Sequence, residues 1–233
     1  MDYDLFFSIG LEFSEDKKLL FEKYIRLFRE YNSHTNLISK NDEKFLFEKH
    51  IFDSLAFNLF VKKYIIPQNI MDIGTGGGLP SVPLSLVYQN TKIYAVDSTE
   101  KKINFIKEIK SNLKLKNLEP VVSRIEELPL KLKSKFDVVT SRALGALPLL
   151  LEYSIPYLKI GGYFVAYKSL DSQNELLSSK NALKILKTEH IDTIDYKLPL
   201  EQNFDRKLLI FKKTAEVSPI YPRKYSIIKN NPL

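Results

Sequence analysis

Four of the eight glycines in this 233-residue chain crowd into one short stretch, at Gly74, Gly76, Gly77 and Gly78. They follow the apolar run Ile70-Met71-Asp72-Ile73 and precede Leu79-Pro80, where a strand would hand over to a helix. An open α/β sheet binds its ligand at that place, because backbone without Cβ atoms can turn sharply and approach the ligand closely. A dinucleotide fingerprint needs a third glycine where Leu79 stands. The spacing that fits is acid-x-Gly-x-Gly-x-Gly, formed by Asp72, Gly74, Gly76 and Gly78. Asp97 closes the next apolar run, and its carboxylate can accept both hydroxyls of a ribose. Beyond the third run, Arg124-Ile125-Glu126-Glu127 can offer a backbone N–H and a carboxylate to a purine edge, or can form a solvated acidic turn. Arg142 follows the fourth run and brings a guanidinium fork to the same edge, suited to a carboxylate or a phosphate. Its structural alternative is an ion pair with Asp72 or Asp137. His50 and Asp53 stand one helical turn apart, but the expected role is to fix a helix against the glycine loop rather than to move a proton.

Periodicity supplies the elements that must position these groups. Strands are expected over 70–73, 92–96, 120–122, 136–140, 163–168, 191–196 and 208–212. Helices are expected over 80–88, 101–113 and 146–158, with a short segment at 126–130. Such alternation predicts an α/β, doubly wound, Rossmann-like sheet of about seven strands. The link 197–205 is too short for a crossover helix, so the last two strands should form an antiparallel hairpin at one edge. Ahead of the sheet, Ser14 caps a helix carrying Leu20, Tyr24, Leu27, Phe28 and Tyr31. A second helical pattern over 42–60 places Phe45, Ile51, Leu55 and Leu59 on one stripe. The chain thus divides into a helical extension (1–66) packed on a core (67–215), followed by a basic tail (216–233).

Composition removes whole classes of chemistry. With no cysteine, disulfides, thiol catalysis and Cys-ligated metals are excluded. His34, His50 and His190 are too scattered for an HExxH-type site, which leaves only a carboxylate site open, and no metal is expected. The start, Met-Asp-Tyr-Asp, has no basic leader, and the longest uncharged stretch (73–91) is broken by Gly, Pro, Asn and Gln. A soluble, cytoplasmic protein without membrane contact is expected. The net charge of +7 resides in 67–233 and suits an anionic partner such as RNA. Candidate contacts are Lys101, Lys102, Lys131, Lys133, Lys135, Arg223, Lys224 and Lys229.

The spacing of Asp72, Gly74, Gly76 and Gly78 resembles motif I of the class I S-adenosylmethionine-dependent methyltransferases. An acid in the loop repels a pyrophosphate but suits the cationic amino group of a methionine moiety. The Asn/Asp-Pro-Pro-aromatic motif of many amine-methylating members is absent after the fourth strand. The longer run Asp-Ile-Gly-Thr-Gly-Gly-Gly-Leu-Pro-Ser-Val-Pro-Leu at 72–84 is similar to the signature of the bacterial small-subunit rRNA guanine-N7 methyltransferases, the glucose-inhibited division protein B family. The likeness continues at Tyr31-Asn32, Asn36-Leu37, His50-Ile51-Phe52-Asp53-Ser54-Leu55, Asp97-Ser98, Ser123-Arg124-Ile125-Glu126-Glu127, Ser141-Arg142-Ala143 and Tyr221-Pro222-Arg223-Lys224.

That resemblance implies methyl transfer from S-adenosylmethionine to N7 of a guanine in 16S rRNA, free or in the small ribosomal subunit; a monomer is expected. It implies cofactor contacts at Gly74, Leu79, Ile125, Glu126 and Arg142; Leu79 and Ile125 come from it alone. Ser81 stands where the family has Gly, Tyr31 where it has Trp and Lys102 where it has Arg. Residues 225–233 contain no Gly, unlike the family's basic tail. Guanine N7 carries a lone pair and no proton, so no catalytic residue is required, only orientation. The alternatives are a methyltransferase for another RNA position, an NAD-dependent oxidoreductase, and a non-enzymatic RNA-binding module. Leu79 and Asp72 count against the second, and the intact set of Asp72, Gly74, Gly76 and Asp97 against the third.

Overall fold

The computed structural model describes residues 1–169, 172–200 and 204–233. The strands are β1 (Asn69–Ile73), β2 (Lys92–Asp97), β3 (Leu118–Val122), β4 (Phe136–Arg142), β5 (Leu158–Lys168), β6 (Thr188–Lys197) and β7 (Asp205–Lys213). They lie in one sheet in the order β3-β2-β1-β4-β5-β7-β6. The first five are parallel, while β7 runs antiparallel between β5 and β6. The terminal antiparallel hairpin expected from the short link is therefore present, though residues 201–203 of that link lie outside the described residues. Strand β1 is buried at every residue after Asn69 because helices cover both of its faces. From β1 the chain steps outward through β2 and β3, then returns to β4 on the other side. The carboxyl ends of β1 and β4 flank that reversal, which is where a sheet of this kind binds ligands.

Before the sheet come α1 (Glu15–Thr35), α2 (Lys40–Glu43), α3 (Phe52–Leu55) and α4 (Phe57–Lys63). Ser14 caps α1, and its buried side is Phe21, Tyr24, Ile25, Phe28 and Asn32. Leu20, Leu27 and Tyr31, expected on that stripe, lie at its margin. The single helix expected over 42–60 is broken, and Phe45 is 48% exposed. Ile51 and Leu55 of the expected stripe are buried, joined by Leu46, Phe47 and Phe52, and a π-type turn spans Leu46–Ile51. Apolar pairs five residues apart cannot share one face of a regular α-helix, and the wider turn brings them inward together. These aromatic residues share a core with Ile70, Val82, Ile93 and Ile106 on one sheet face.

The later helices are α5 (Ser81–Val87), α6 (Glu100–Asn112), α7 (Leu147–Ser154), α8 (Ser172–Ser178), α9 (Lys180–Ile185) and α10 (Tyr225–Asn230). α7 and α9 cover the opposite face through Leu147, Leu150, Leu151, Ala182 and Leu186, packed on Met71, Val139, Phe164 and Phe211. α8 and α9 carry the chain from β5 out to the edge strand β6. Neither they nor α10 was expected, because short helices with mostly exposed side chains leave little periodic signal. No helix among the described residues is long and apolar enough to cross a membrane.

Candidate functional site

The glycine loop owes its path to left-handed backbone at Gly74 (φ 68°), Gly76 (φ 57°) and Gly78 (φ 79°). A Cβ on Gly74 would lie 2.5 Å from Leu144 Cδ1, whereas one on Gly76 would meet nothing nearer than 4.0 Å. The loop is pinned to β2: Thr75 N–H donates to the Val96 carbonyl (3.0 Å), and Gly76 N–H donates to Asp97 Oδ2 (3.0 Å). Asp97 Oδ1 accepts the Thr99 N–H at 2.8 Å. Each of these carboxylate oxygens retains a further lone pair.

Asp72 is placed differently from the sequence expectation. It is fully buried beneath the loop and does not line the cleft. Its Oδ2 accepts the Ser81 hydroxyl at 2.5 Å, while Oδ1 is buried without a hydrogen-bond partner. Burial pushes this carboxyl up to about 6, an effect that the hydroxyls of Ser81 and Thr75 partly offset. The loop acid thus braces the loop from within. Ser81, noted in the sequence only as a departure from the family pattern, is what holds it.

A cleft of about 280 Å³ opens over the carboxyl ends of the strands. Of the expected cofactor residues it brings together Gly74, Asp97, Ile125 and Glu126. Gly78 and Leu79 are buried below, where a Cβ on Gly78 would strike Val82 Cγ2 at 2.6 Å. The Ile125 carbonyl is held by the buried Tyr157 hydroxyl. Reasoning from the sequence missed Leu144, Leu149, Tyr153 and Tyr225, which also line the cleft. Leu149 and Tyr153 stand one turn apart on α7, a spacing that an amphipathic reading of that helix could have exposed. Tyr225, far off in sequence, gave no signal. Burial and the Glu126 carboxylate hold the Tyr153 phenol above its ordinary range.

Arg142 does not reach this cleft, and its partner is neither Asp72 nor Asp137. It donates to Asp53 Oδ2 (3.0 Å), to the His50 carbonyl (3.2 Å) and to His50 Nδ1 (2.9 Å). Tyr196 on β6 donates to the other Asp53 oxygen at 2.6 Å. Asp137 serves elsewhere, accepting from Lys159 and from the Gln68 and Asn69 amides. Burial, then the adjacent guanidinium, push His50 down to about 4, so its ring is neutral at pH 7 and accepts through Nδ1. His50 and Asp53 are fixed by the end of β4 rather than by the glycine loop. A second cavity beside them is lined by Lys49, Arg142, Lys168 and Arg206, with Asp53 and Glu175 as counter-charges. Arg206 Nε is buried there without a hydrogen-bond partner.

The basic residues expected to meet RNA separate into two groups. Lys101, Lys131, Lys135, Lys224 and Lys229 are exposed. Lys102 Nζ lies 3.8 Å from Asp97 Oδ2. Arg223 turns inward and forks onto Glu152, because that carboxylate is fully buried and requires a cation. Lys133 donates to the carbonyls of Pro219 and Tyr221. Neither Arg223 nor Lys133 extends a free charge into solvent, a correction to the expected contact set.

The model of the GidB family, described as rRNA small subunit methyltransferase G, matches residues 17–204. A "Ribosomal RNA small subunit methyltransferase G" of Acholeplasma laidlawii is 38% identical over 97% of this chain and 96% of its own length. The protein of the same name from Fusobacterium nucleatum is 36% identical over 98% and 99%. Among solved structures, a SAM-dependent methyltransferase from Methanosarcina mazei superposes with a TM-score of 0.54 at 15% identity, over 67% of this chain and 98% of its own. That last likeness concerns the fold.

Proposed function

This chain belongs to the GidB family, rRNA small subunit methyltransferase G, and on that premise we propose that it methylates N7 of one guanine in 16S rRNA with S-adenosylmethionine as donor. The residues present fit that cofactor. Gly76 leaves open backbone where a Cβ would stand, and Asp97 presents a carboxylate beside it. The observation that carries the reading is Asp97 held against the glycine loop at the reversal of strand order, with Ile125 and Glu126 across the same cleft.

When bound, S-adenosylmethionine supplies an electrophilic methyl group on a sulfonium centre. Asp97 would accept the ribose hydroxyls through its remaining lone pairs, and the backbone at Ile125 with the Glu126 carboxylate would face the adenine edge. Gly74 and Gly76 admit the chain that joins nucleoside to amino acid. No general base is needed, because guanine N7 presents a lone pair without a proton. What the protein contributes is orientation, worth about 7–11 kcal/mol for well-placed reactants. His50, neutral and committed to Arg142, acts as a support for the substrate side rather than as a base.

The basic second cavity adjoins the cleft through Ala143 and Gly145, on either side of Leu144. Its cations suit a phosphate-bearing nucleotide, and the buried Arg206 Nε makes no hydrogen bond, lying 3.6 Å from Asp53 Oδ1. A base presented there must be unstacked to expose its edge, which favours a loop of folded RNA over a duplex. Residues 67–215 form the methyltransferase core in this reading, with 1–66 bracing one face of the sheet. Transfer of tritiated methyl groups to deproteinised rRNA, small subunits and whole ribosomes in parallel tests the reading. Label in small-subunit rRNA is expected; binding of S-adenosylmethionine with no label in any of the three substrates would overturn it.

A further inference from the structure

The segment 216–233 reads in the sequence as a basic arm, yet the structure holds it down at several points. Arg223 donates from Nε and Nη2 to the two oxygens of Glu152, at 2.8 and 2.7 Å, and its backbone N–H donates to Glu152 Oε1 at 2.9 Å. Arg223 Nη2 also closes onto the Asn231 carbonyl at 3.1 Å. Lys133 donates to the carbonyls of Pro219 (2.7 Å) and Tyr221 (2.6 Å), and Ile228 is buried in the core on the α7 side. Glu152 is fully buried, so releasing Arg223 would strand a carboxylate away from water.

The anchored segment delivers one side chain to the cleft. Tyr225 lines it together with Asp97, Arg124, Glu126 and Tyr153. Tyr153 immediately follows the anchoring Glu152 on α7, so clamp and cleft wall share one turn of helix. Tyr225 remains 44% exposed, leaving a ring face that a planar ligand could cover.

We propose that 216–233 is a wall of the nucleoside half of the cleft: Tyr225 contacts the adenosine moiety, and Arg223 with Glu152 positions it. The inference rests on reading this cleft as the S-adenosylmethionine site. Cofactor affinity thereby depends on a segment whose charges alone suggest RNA.

Calorimetric titration of the full chain with S-adenosylhomocysteine, and separately with adenosine, tests the assignment. Tyr225→Ala should weaken both ligands by about tenfold, the scale of a base stacked on an aromatic ring. Tyr225→Phe should retain most of the affinity. In turnover, Tyr225→Ala should raise KM for S-adenosylmethionine and leave kcat nearly unchanged. Arg223→Ala alone would strand the buried Glu152 charge, so the double variant Arg223→Ala/Glu152→Leu removes both charges; it should keep its thermal midpoint and still lose affinity. Wild-type affinity in Tyr225→Ala would overturn this proposal while leaving the cofactor reading intact. A wild-type chain that binds no S-adenosylhomocysteine would overturn both.

Discussion

Asp97 at the end of β2 accepts the backbone N–H of Gly76 at 3.0 Å, tying the glycine loop after β1 to the neighbouring strand. One carboxylate therefore shapes the loop and faces the cleft that the loop borders. Asp97→Ala should leave the Gly76 and Thr99 amides unpaired and remove an acceptor for the ribose. Either loss costs about 1–3 kcal/mol. Calorimetry with S-adenosylhomocysteine should show affinity falling by at least tenfold; unchanged affinity would remove Asp97 from the site.

Gly74→Ala should destabilise the protein for two separable reasons. The left-handed backbone at φ 68° is strained for alanine, at roughly 1–3 kcal/mol, and the new Cβ would press on Leu144. A second change, Leu144→Ala, should relieve the contact and leave the backbone term. Urea denaturation of the single and double variants measures the split, and full recovery in the double variant would contradict the backbone argument.

The chemistry-bearing loop was legible because glycine spacing and the acid at the next strand end are local patterns that fold class and position explain together. Strand alternation likewise announced the sheet, and a short link announced its antiparallel edge. Partners set by the third dimension were not legible. The sequence offered Asp72 and Asp137 to Arg142, but β4 aims that guanidinium at Asp53, which comes from the helical segment before the sheet. Arg223 and Lys224 looked alike as tail cations, and only the burial of Glu152 separates them. Phe45 followed the helical stripe on paper, but a five-residue spacing of apolar pairs turned it outward.

Asp53 is the shared partner of Arg142 and Tyr196, and its side chain is 3% exposed. Asp53→Ala should leave the Arg142 guanidinium without its counter-charge, and breaking such a buried pair costs about 3–5 kcal/mol. The loss should appear in thermal and urea unfolding. A variant as stable as the wild type would mean that the ion pair is not formed in solution.

Acid should weaken the fold through His50. Its folded-state value near 4 lies below the ordinary 6.5, so between those limits the unfolded chain binds more protons and stability falls as pH drops. Asp72, raised to about 6, acts in the opposite sense over part of that window. The informative quantity is the difference between wild type and His50→Gln. The variant should have a flatter stability profile from pH 6.5 to 4, by on the order of 3 kcal/mol across the window. Parallel profiles would contradict the neutral, buried imidazole.

RNA affinity should fall linearly with the logarithm of salt, by about 0.7 log units per log salt for each single-strand phosphate neutralised. Lys101→Gln and Lys224→Gln remove exposed charges and should each reduce that slope. Lys133→Gln should leave the slope unchanged, since its ammonium already bonds the carbonyls of Pro219 and Tyr221. Equal effects from all three would mean that the segment is not held as described.

The central claim is a methyl group placed on guanine N7 of 16S rRNA. N7 methylation fixes a positive charge on the imidazole ring, which makes that ring open to borohydride reduction and the RNA to aniline scission at that nucleotide. Small-subunit rRNA from cells lacking this protein should lose one scission site. The wild-type gene should restore it, and Gly74→Asp should not, because bulk and negative charge would then occupy the loop beside Leu144. An unchanged scission pattern in the cells lacking the protein, or a missing methyl group traced to a cytosine, an exocyclic amine or a ribose, would contradict the assignment.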